Sequence, residues 1–157
     1  MKHLTTALFA SPILIALAPA ASAQSTDLAK RDIADIATKW EAAINDRSSS
    51  AAAAHNITAL FTADGVLNGA GGVEIGPAAI EKSFTASIET NNPTDFHITT
   101  SNVQAAGNVA WAYGTVSEKL GGKPVEVFWG AVYELVGGHY KVTMLTGGVK
   151  PPPAPPK

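Results

Sequence analysis

The sequence contains no cysteine, which excludes disulfide scaffolds, thiolate metal sites and cysteine nucleophiles. Only 15% of its 157 residues are charged, and the formal net charge is -2. Because nucleic-acid binding requires a clustered basic surface, we expect no nucleic-acid partner. The histidine spacings H-x-H and H-E-x-x-H are also absent, so we expect no metal site. The sequence has no phosphate-cradling glycine loop and no dinucleotide-binding fingerprint, and we expect no cofactor.

Glycine is missing from the first 64 residues, and all 14 glycines lie from Gly65 onward. Glycine weakens helices but suits the turns between strands, so this asymmetry predicts helices first and turn-rich strands later. The length and the 46% share of hydrophobic residues fit one domain with a sizeable core.

Residues 1–23 have the three-part layout of a secretory signal peptide. Lys2 and His3 precede a mostly apolar run over 4–17, and the small residues at 21–23 read Ala-Ser-Ala. We therefore expect cleavage after Ala23, a periplasmic or secreted protein, and no membrane attachment afterwards. An uncleaved membrane anchor is the alternative, but Pro12 interrupts the apolar run and Pro19 follows it closely.

The far end of the chain, 150–157, contains five prolines and one alanine before Lys157. Such a run adopts an extended polyproline II conformation and buries little surface. It is either a solvated tail or a segment that docks on an aromatic groove of a partner. The folded domain is therefore expected over 24–149.

Apolar residues recur three and four positions apart from Ile33 to Ile44, which predicts an amphipathic helix with Asp27 as its N-cap. An alanine-rich second helix is expected over 51–61, ended by Gly65. A third helix is predicted after Gly76, where proline occupies the favoured first helical position.

After residue 93 the hydrophobic period changes to two, which indicates strands. Short extended segments are also expected around 66–67 and 73–75. Glycine-containing turns at 107–108, 121–122 and 137–138 separate the later strands, and such short connections require antiparallel neighbours. The fold class is therefore α+β, with the helices on one face of the sheet. The four later strands are predicted over Phe96–Val103, Val109–Val116, Val125–Val136 and Tyr140–Leu145.

Two stretches, Leu-Phe-Thr-Ala-Asp-Gly-Val at 60–66 and Gly-Pro-Ala-Ala-Ile at 76–80, resemble motifs of the nuclear transport factor 2-like superfamily. Trp40 and the sequence Gly-Asn-Val-Ala at 107–110 are further points of similarity, and the resemblance covers about 27–145. The superfamily includes ketosteroid isomerase-like and polyketide cyclase-like proteins. The resemblance implies a cone-shaped, curved antiparallel sheet wrapped around N-terminal helices, with an internal pocket and often a dimer through the outer sheet face.

The sequence departs from the ketosteroid isomerase pattern of a carboxylate base, a tyrosine and a protonated acid. Asn68 and Gly69 stand where the base is expected, and Trp40 stands where the tyrosine is expected. Gly130 and Ala131 occupy the segment that would carry the acid. Isomerase chemistry by that set of residues is therefore not expected.

Two residues are candidates for acid/base catalysis of another kind. His97 shares a predicted strand face with hydroxyl residues, and Asp64 lies at the predicted junction of helix and strand. Each also has a structural interpretation, because a strand histidine is often simply hydrogen-bonded and a short carboxylate often braces a turn.

Six aromatic residues are the candidate ligand-binding set, as rings with polar tips suit a small, largely apolar ligand. The alternative is an ordinary core. We interpret the chain as an exported domain that binds a small apolar or amphipathic molecule, and as a homodimer. There are two alternatives. One is a polyketide cyclase-like or isomerase-like enzyme that uses His97 and Asp64, and the other is a protein-interaction module. The six aromatic candidates are Trp40, Phe84, Trp111, Tyr113, Trp129 and Tyr133.

Overall fold

A computed structural model describes residues 18–69 and 71–149. The predicted signal segment lies mostly, and the proline-rich tail wholly, outside the described residues. No helix in the described part of the chain has the length and apolar character needed to span a membrane. The elements, in chain order, are α1 (Ala18–Asp46), α2 (Ser50–Thr58), β1 (Phe61–Gly69), β2 (Gly72–Ile75), α3 (Pro77–Asn91), β3 (Thr94–Ala106), β4 (Val109–Leu120), β5 (Lys123–Val136) and β6 (His139–Val149).

Helix α1 confirms the predicted buried stripe, in which Ile33, Ile36 and Trp40 are all at most 9% exposed. The N-cap prediction for Asp27 is wrong, because the helix begins at Ala18 and Asp27 is an exposed residue within it. The segment before Asp27 is rich in alanine, the strongest helix former, so the helix continues through it.

The boundary predicted at Gly65 is also wrong. Helix α2 ends at Thr58, and β1 already begins at Phe61, with Gly65 inside the strand. The register of β1 against β6 shifts between Phe61 and Val66, which marks an irregularity around this glycine. A Cβ at Gly65 would lie 3.0 Å from the Phe61 ring, so the close approach of that ring favours glycine here.

The six strands form one curved, unclosed sheet in the order β2-β1-β6-β5-β4-β3. All neighbours are antiparallel except β1 and β6, which run parallel. The predicted turns are confirmed, since Gly107, Gly121 and Gly137 all have positive φ angles. The α+β prediction and the cone shape are confirmed.

Polar side chains of α1 fasten the helix to the sheet. The Glu41 carboxylate accepts a hydrogen bond from the Ile98 amide at 2.6 Å. Asn45 pairs with both backbone groups of Phe96, at 2.8 and 3.1 Å. Asp32 accepts from the Tyr140 amide at 3.0 Å, so α1 is held against both β3 and β6. These bonds fix the walls of the space enclosed between the helix and the sheet.

Candidate functional site

The concave face of the sheet encloses a small cavity of about 70 Å³ beneath α1. Its walls are almost wholly apolar. Trp40 closes one side, and its ring lies 5.3 Å from that of Phe84 in an edge-to-face arrangement. The cavity is lined by Ile33, Ile36, Ala37, Trp40, Phe96, Ile98, Thr100, Val116, Trp129 and Leu145.

A larger cleft of about 660 Å³ opens beside this cavity, between α3 and the ends of β1, β5 and β6. Phe84 and Leu67 contribute apolar surface to it. Three residues, Val116, Trp129 and Leu145, line both spaces, so the cavity and the cleft adjoin. We refer to this 660 Å³ space as the cleft.

Trp129 is the central side chain of the site because it borders both the cavity and the cleft. Its cross-strand partners are Gly114 on β4 and Gly147 on β6, and neither carries a side chain that would compete for the same face. The indole Nε1 donates to the Thr115 carbonyl at 3.3 Å, which fixes the ring towards β4.

The polar groups of the cleft are few. Glu74 on β2 and Ser83 on α3 are joined by a hydrogen bond of 3.3 Å, and Asn91 donates to Ser87 at 3.2 Å. Glu118 on β4 is not part of the lining of the cleft, and burial raises the pKa of its carboxyl. In the described part of the chain, no group of three or more histidines or carboxylates has a geometry that would hold a metal ion.

The structure brings three of the six aromatic candidates to the site. Trp40 lines the cavity, Phe84 lines the cleft, and Trp129 lines both. Tyr133 shares a face of β5 with Trp129 but is packed in the core, only 3% exposed, and borders neither space. Burial raises the pKa of Tyr133 well above its usual range, as expected for a phenol removed from water.

Trp111 and Tyr113 are placed differently from the prediction, since both lie on the outer, convex face of β4. They are 43% and 53% exposed, whereas Ala110 and Ala112, which alternate with them, are buried. Neither ring lines the cavity or the cleft. The placement of Trp111 and Tyr113 in the candidate ligand-binding set is therefore corrected.

His97 and Asp64 both lie outside the cavity and the cleft. The His97 Nδ1 is 3.0 Å from the Glu41 carboxylate, and the His97 side chain is 67% exposed. Asp64 is an exposed residue within β1 rather than at a helix–strand junction. Neither residue lines the cavity or the cleft, so the structure gives no geometric basis for the acid/base pair.

Sequence reasoning missed Glu74, the charged residue that lines the cleft. The signal that could have found it is the pattern of β2, where a glutamate alternates with Val73 and Ile75. The same alternation is equally consistent with Val73 and Ile75 pointing inward, and in most strands the apolar residues do point inward.

Comparison with known proteins gives a consistent result. The family model described as the SnoaL-like domain matches residues 33–143. A search of the curated proteins finds no match. Among solved structures, a ketosteroid isomerase-like protein from Erwinia carotovora atroseptica is similar with a TM-score of 0.66 and 15% identity, over 82% of this chain and 98% of that one.

Two further solved structures, both of proteins of unknown function, share this architecture. An NTF2-like protein from Pseudomonas putida has a TM-score of 0.61 and 19% identity, over 84% of this chain and 88% of that one. A protein with a cystatin-like fold from Nostoc punctiforme has a TM-score of 0.63 and 19% identity, over 78% and 91% of the two chains. At these identities the likeness establishes the fold, and the function has to be argued from the site.

Proposed function

We propose, from the premise that this chain belongs to the SnoaL-like domain family, that the domain binds a small apolar or amphipathic molecule in the cleft. The observation that carries the proposal is the joining of a cleft of about 660 Å³ to an apolar inner cavity through Trp129. Ligand sites are typically apolar concavities of about 300–1,000 Å³ with a few polar groups, and the cleft matches that description.

The proposal is for binding, with no catalytic residue assigned. The acid/base alternative needs His97 or Asp64 at the bound molecule, and both side chains lie elsewhere. The groups that do line the cleft suit recognition, because an apolar wall supplies affinity and a few polar side chains set the orientation of a ligand.

Filling the cleft should abolish binding. Gly147 pairs with Trp129, so the side chain of a Gly147→Leu variant would project towards the cleft, where its Cβ meets only ordinary contacts. We expect n-octanol, as a simple amphipathic probe, to quench tryptophan fluorescence in the unmodified protein. In Gly147→Leu its affinity should fall by about tenfold or more, equivalent to about 1.4 kcal/mol.

Gly148→Leu is the matched control. Gly148 also borders the cleft, but it pairs with the outer-face residue Phe128, so a side chain added there points away from the cleft into open space. Its affinity for n-octanol should stay within about twofold of the unmodified protein. Binding in the cleft would be contradicted if the two variants lost affinity for n-octanol equally, or if the unmodified protein showed no saturable quenching.

We further propose that the outer sheet face forms a homodimer interface. Trp111, Val132 and Met144 are aligned directly across β4, β5 and β6, and Tyr113 and Phe128 extend the same face. Trp111 is 43% and Met144 44% exposed. Monomeric proteins rarely expose a continuous apolar patch of this kind, so coverage by a second copy is favoured.

Sedimentation velocity tests the homodimer. The unmodified protein should sediment as a dimer, and Trp111→Asp should sediment as a monomer because it buries a charge at the interface. Val73→Asp, at an exposed residue of β2 outside the patch, should leave the dimer intact. A monomer at all concentrations of the unmodified protein would refute the proposal.

A further inference from the structure

The orientation of β2 is reversed relative to an ordinary amphipathic strand. Val73 and Ile75 point outward and are 63% and 68% exposed, while Glu74 is paired with the buried Leu67 and lines the cleft. An apolar residue normally occupies the inward position of such a strand. The inward carboxylate is therefore a feature that the packing of the domain alone does not explain.

The hydrogen bonding of Glu74 is incomplete. Its Oε1 accepts from the Ser83 hydroxyl at 3.3 Å, whereas its Oε2 is shut off from water and has no hydrogen-bond partner among the described residues. A buried acceptor without a donor destabilises the fold. Because the terminal torsion of glutamate is soft, a small rotation can present one oxygen to the cleft while the other keeps Ser83.

The charge of the cleft is one-sided. Glu74 is the charged residue of its described lining, which includes no lysine, arginine or histidine. In apolar surroundings a carboxylate interacts more strongly with a cation than it does in water, and it repels an anion equally strongly. A protonated amine would supply both the missing donor and the opposite charge.

We propose that Glu74 makes the cleft selective for amphipathic molecules that carry a protonated amine at one end. The apolar part of the ligand lies against Trp129 and Leu145, and its ammonium group donates to the Glu74 carboxylate. This inference rests on the proposed binding function and adds the chemical class of the ligand. It predicts discrimination among molecules that differ only in their polar end.

Three probes with the same apolar chain test the inference, namely n-octylamine, n-octanol and n-octanoate at neutral pH, titrated by calorimetry. The unmodified protein should bind the amine about tenfold or more tightly than the alcohol, because a charge-assisted hydrogen bond is stronger than a neutral one. The carboxylate should bind most weakly. In Glu74→Gln, which keeps the shape and an acceptor for Ser83, the amine should lose its advantage while the alcohol stays within about twofold.

The Ser83→Ala variant tests whether Glu74 recognises the amine or only holds β2 against α3. This variant removes the hydrogen bond to Ser83 but keeps the carboxylate, so it should retain the preference for the amine. If Ser83→Ala and Glu74→Gln lose that preference equally, Glu74 acts only as a tether and the inference fails. If the three probes bind equally to the unmodified protein, the selectivity is refuted but the proposed binding function stands. If none of them binds, both are refuted.

Discussion

Replacing Gly114 with alanine should destabilise the domain by about 3 kcal/mol or more, or prevent folding. A Cβ at this position would overlap the carbonyl oxygen of Thr99 and lie 2.9 Å from its carbonyl carbon. These are backbone atoms of β3, next to the register shift that follows Thr100, so they cannot turn away as a side chain would. Urea denaturation followed by circular dichroism measures the decrease in the free energy of unfolding.

Gly130→Ala is the matched control for this substitution. Gly130 is an interior glycine of the adjacent strand β5, and a Cβ there would make an ordinary contact of 3.8 Å with Thr146. The free energy of unfolding should change by less than about 1 kcal/mol, since glycine in a strand carries an entropic cost that alanine reduces. Similar losses in the two variants would show that β3 does not approach Gly114 as described.

Removing the Asp32 carboxylate should lower the free energy of unfolding by about 3 kcal/mol. Asp32 is a buried residue of α1 whose carboxylate accepts the Tyr140 amide at 3.0 Å and lies 3.6 Å from His139 Nδ1. In Asp32→Ala the Tyr140 amide loses its acceptor inside the protein. Urea denaturation again provides the measurement.

Asp35→Ala is the control for Asp32→Ala, because Asp35 is on the same helix but is exposed. Its ion pair with Lys39, at 2.6 Å and four residues along the helix, should contribute about 0.3–0.5 kcal/mol to the free energy of unfolding.

A second readout is the phenol of Tyr140, whose pKa is raised by burial and by the Asp32 charge. That pKa should fall in Asp32→Ala and stay unchanged in Asp35→Ala. Equal stability losses in both variants would contradict the structural role of Asp32.

Local sequence patterns predict most of the fold but miss contacts between distant segments. Helix α3 and strands β3 to β6 follow from hydrophobic period and from glycine turns, which are local signals. The start of β1 at Phe61 was missed because Phe61 pairs with Val142, a contact distant along the sequence. The glycine-free opening of the chain does contain α1 and α2, but β1 begins before the first glycine.

The site was predicted only in part because alternation shows which residues share a face without showing which face is buried. On β4 the buried face carries small residues, because Ala110 and Ala112 are packed in the core and a Cβ at Gly114 would overlap the Thr99 carbonyl oxygen of β3. Trp111 therefore lies outside. On β2, alternation likewise does not show which face is buried. The inward orientation of Glu74 follows from the pairing of β2 with β1 and not from the sequence of β2 itself.

The central claim is that an amphipathic molecule binds on the concave side of the sheet, against Trp129. The most direct measurement is isotope-edited nuclear Overhauser contact mapping of n-octanol on methyl-labelled protein. We predict contacts from the octyl chain to Val116 and Leu145, which line both the cavity and the cleft. Contacts confined to Val132 and Met144, on the outer face, would contradict the claim.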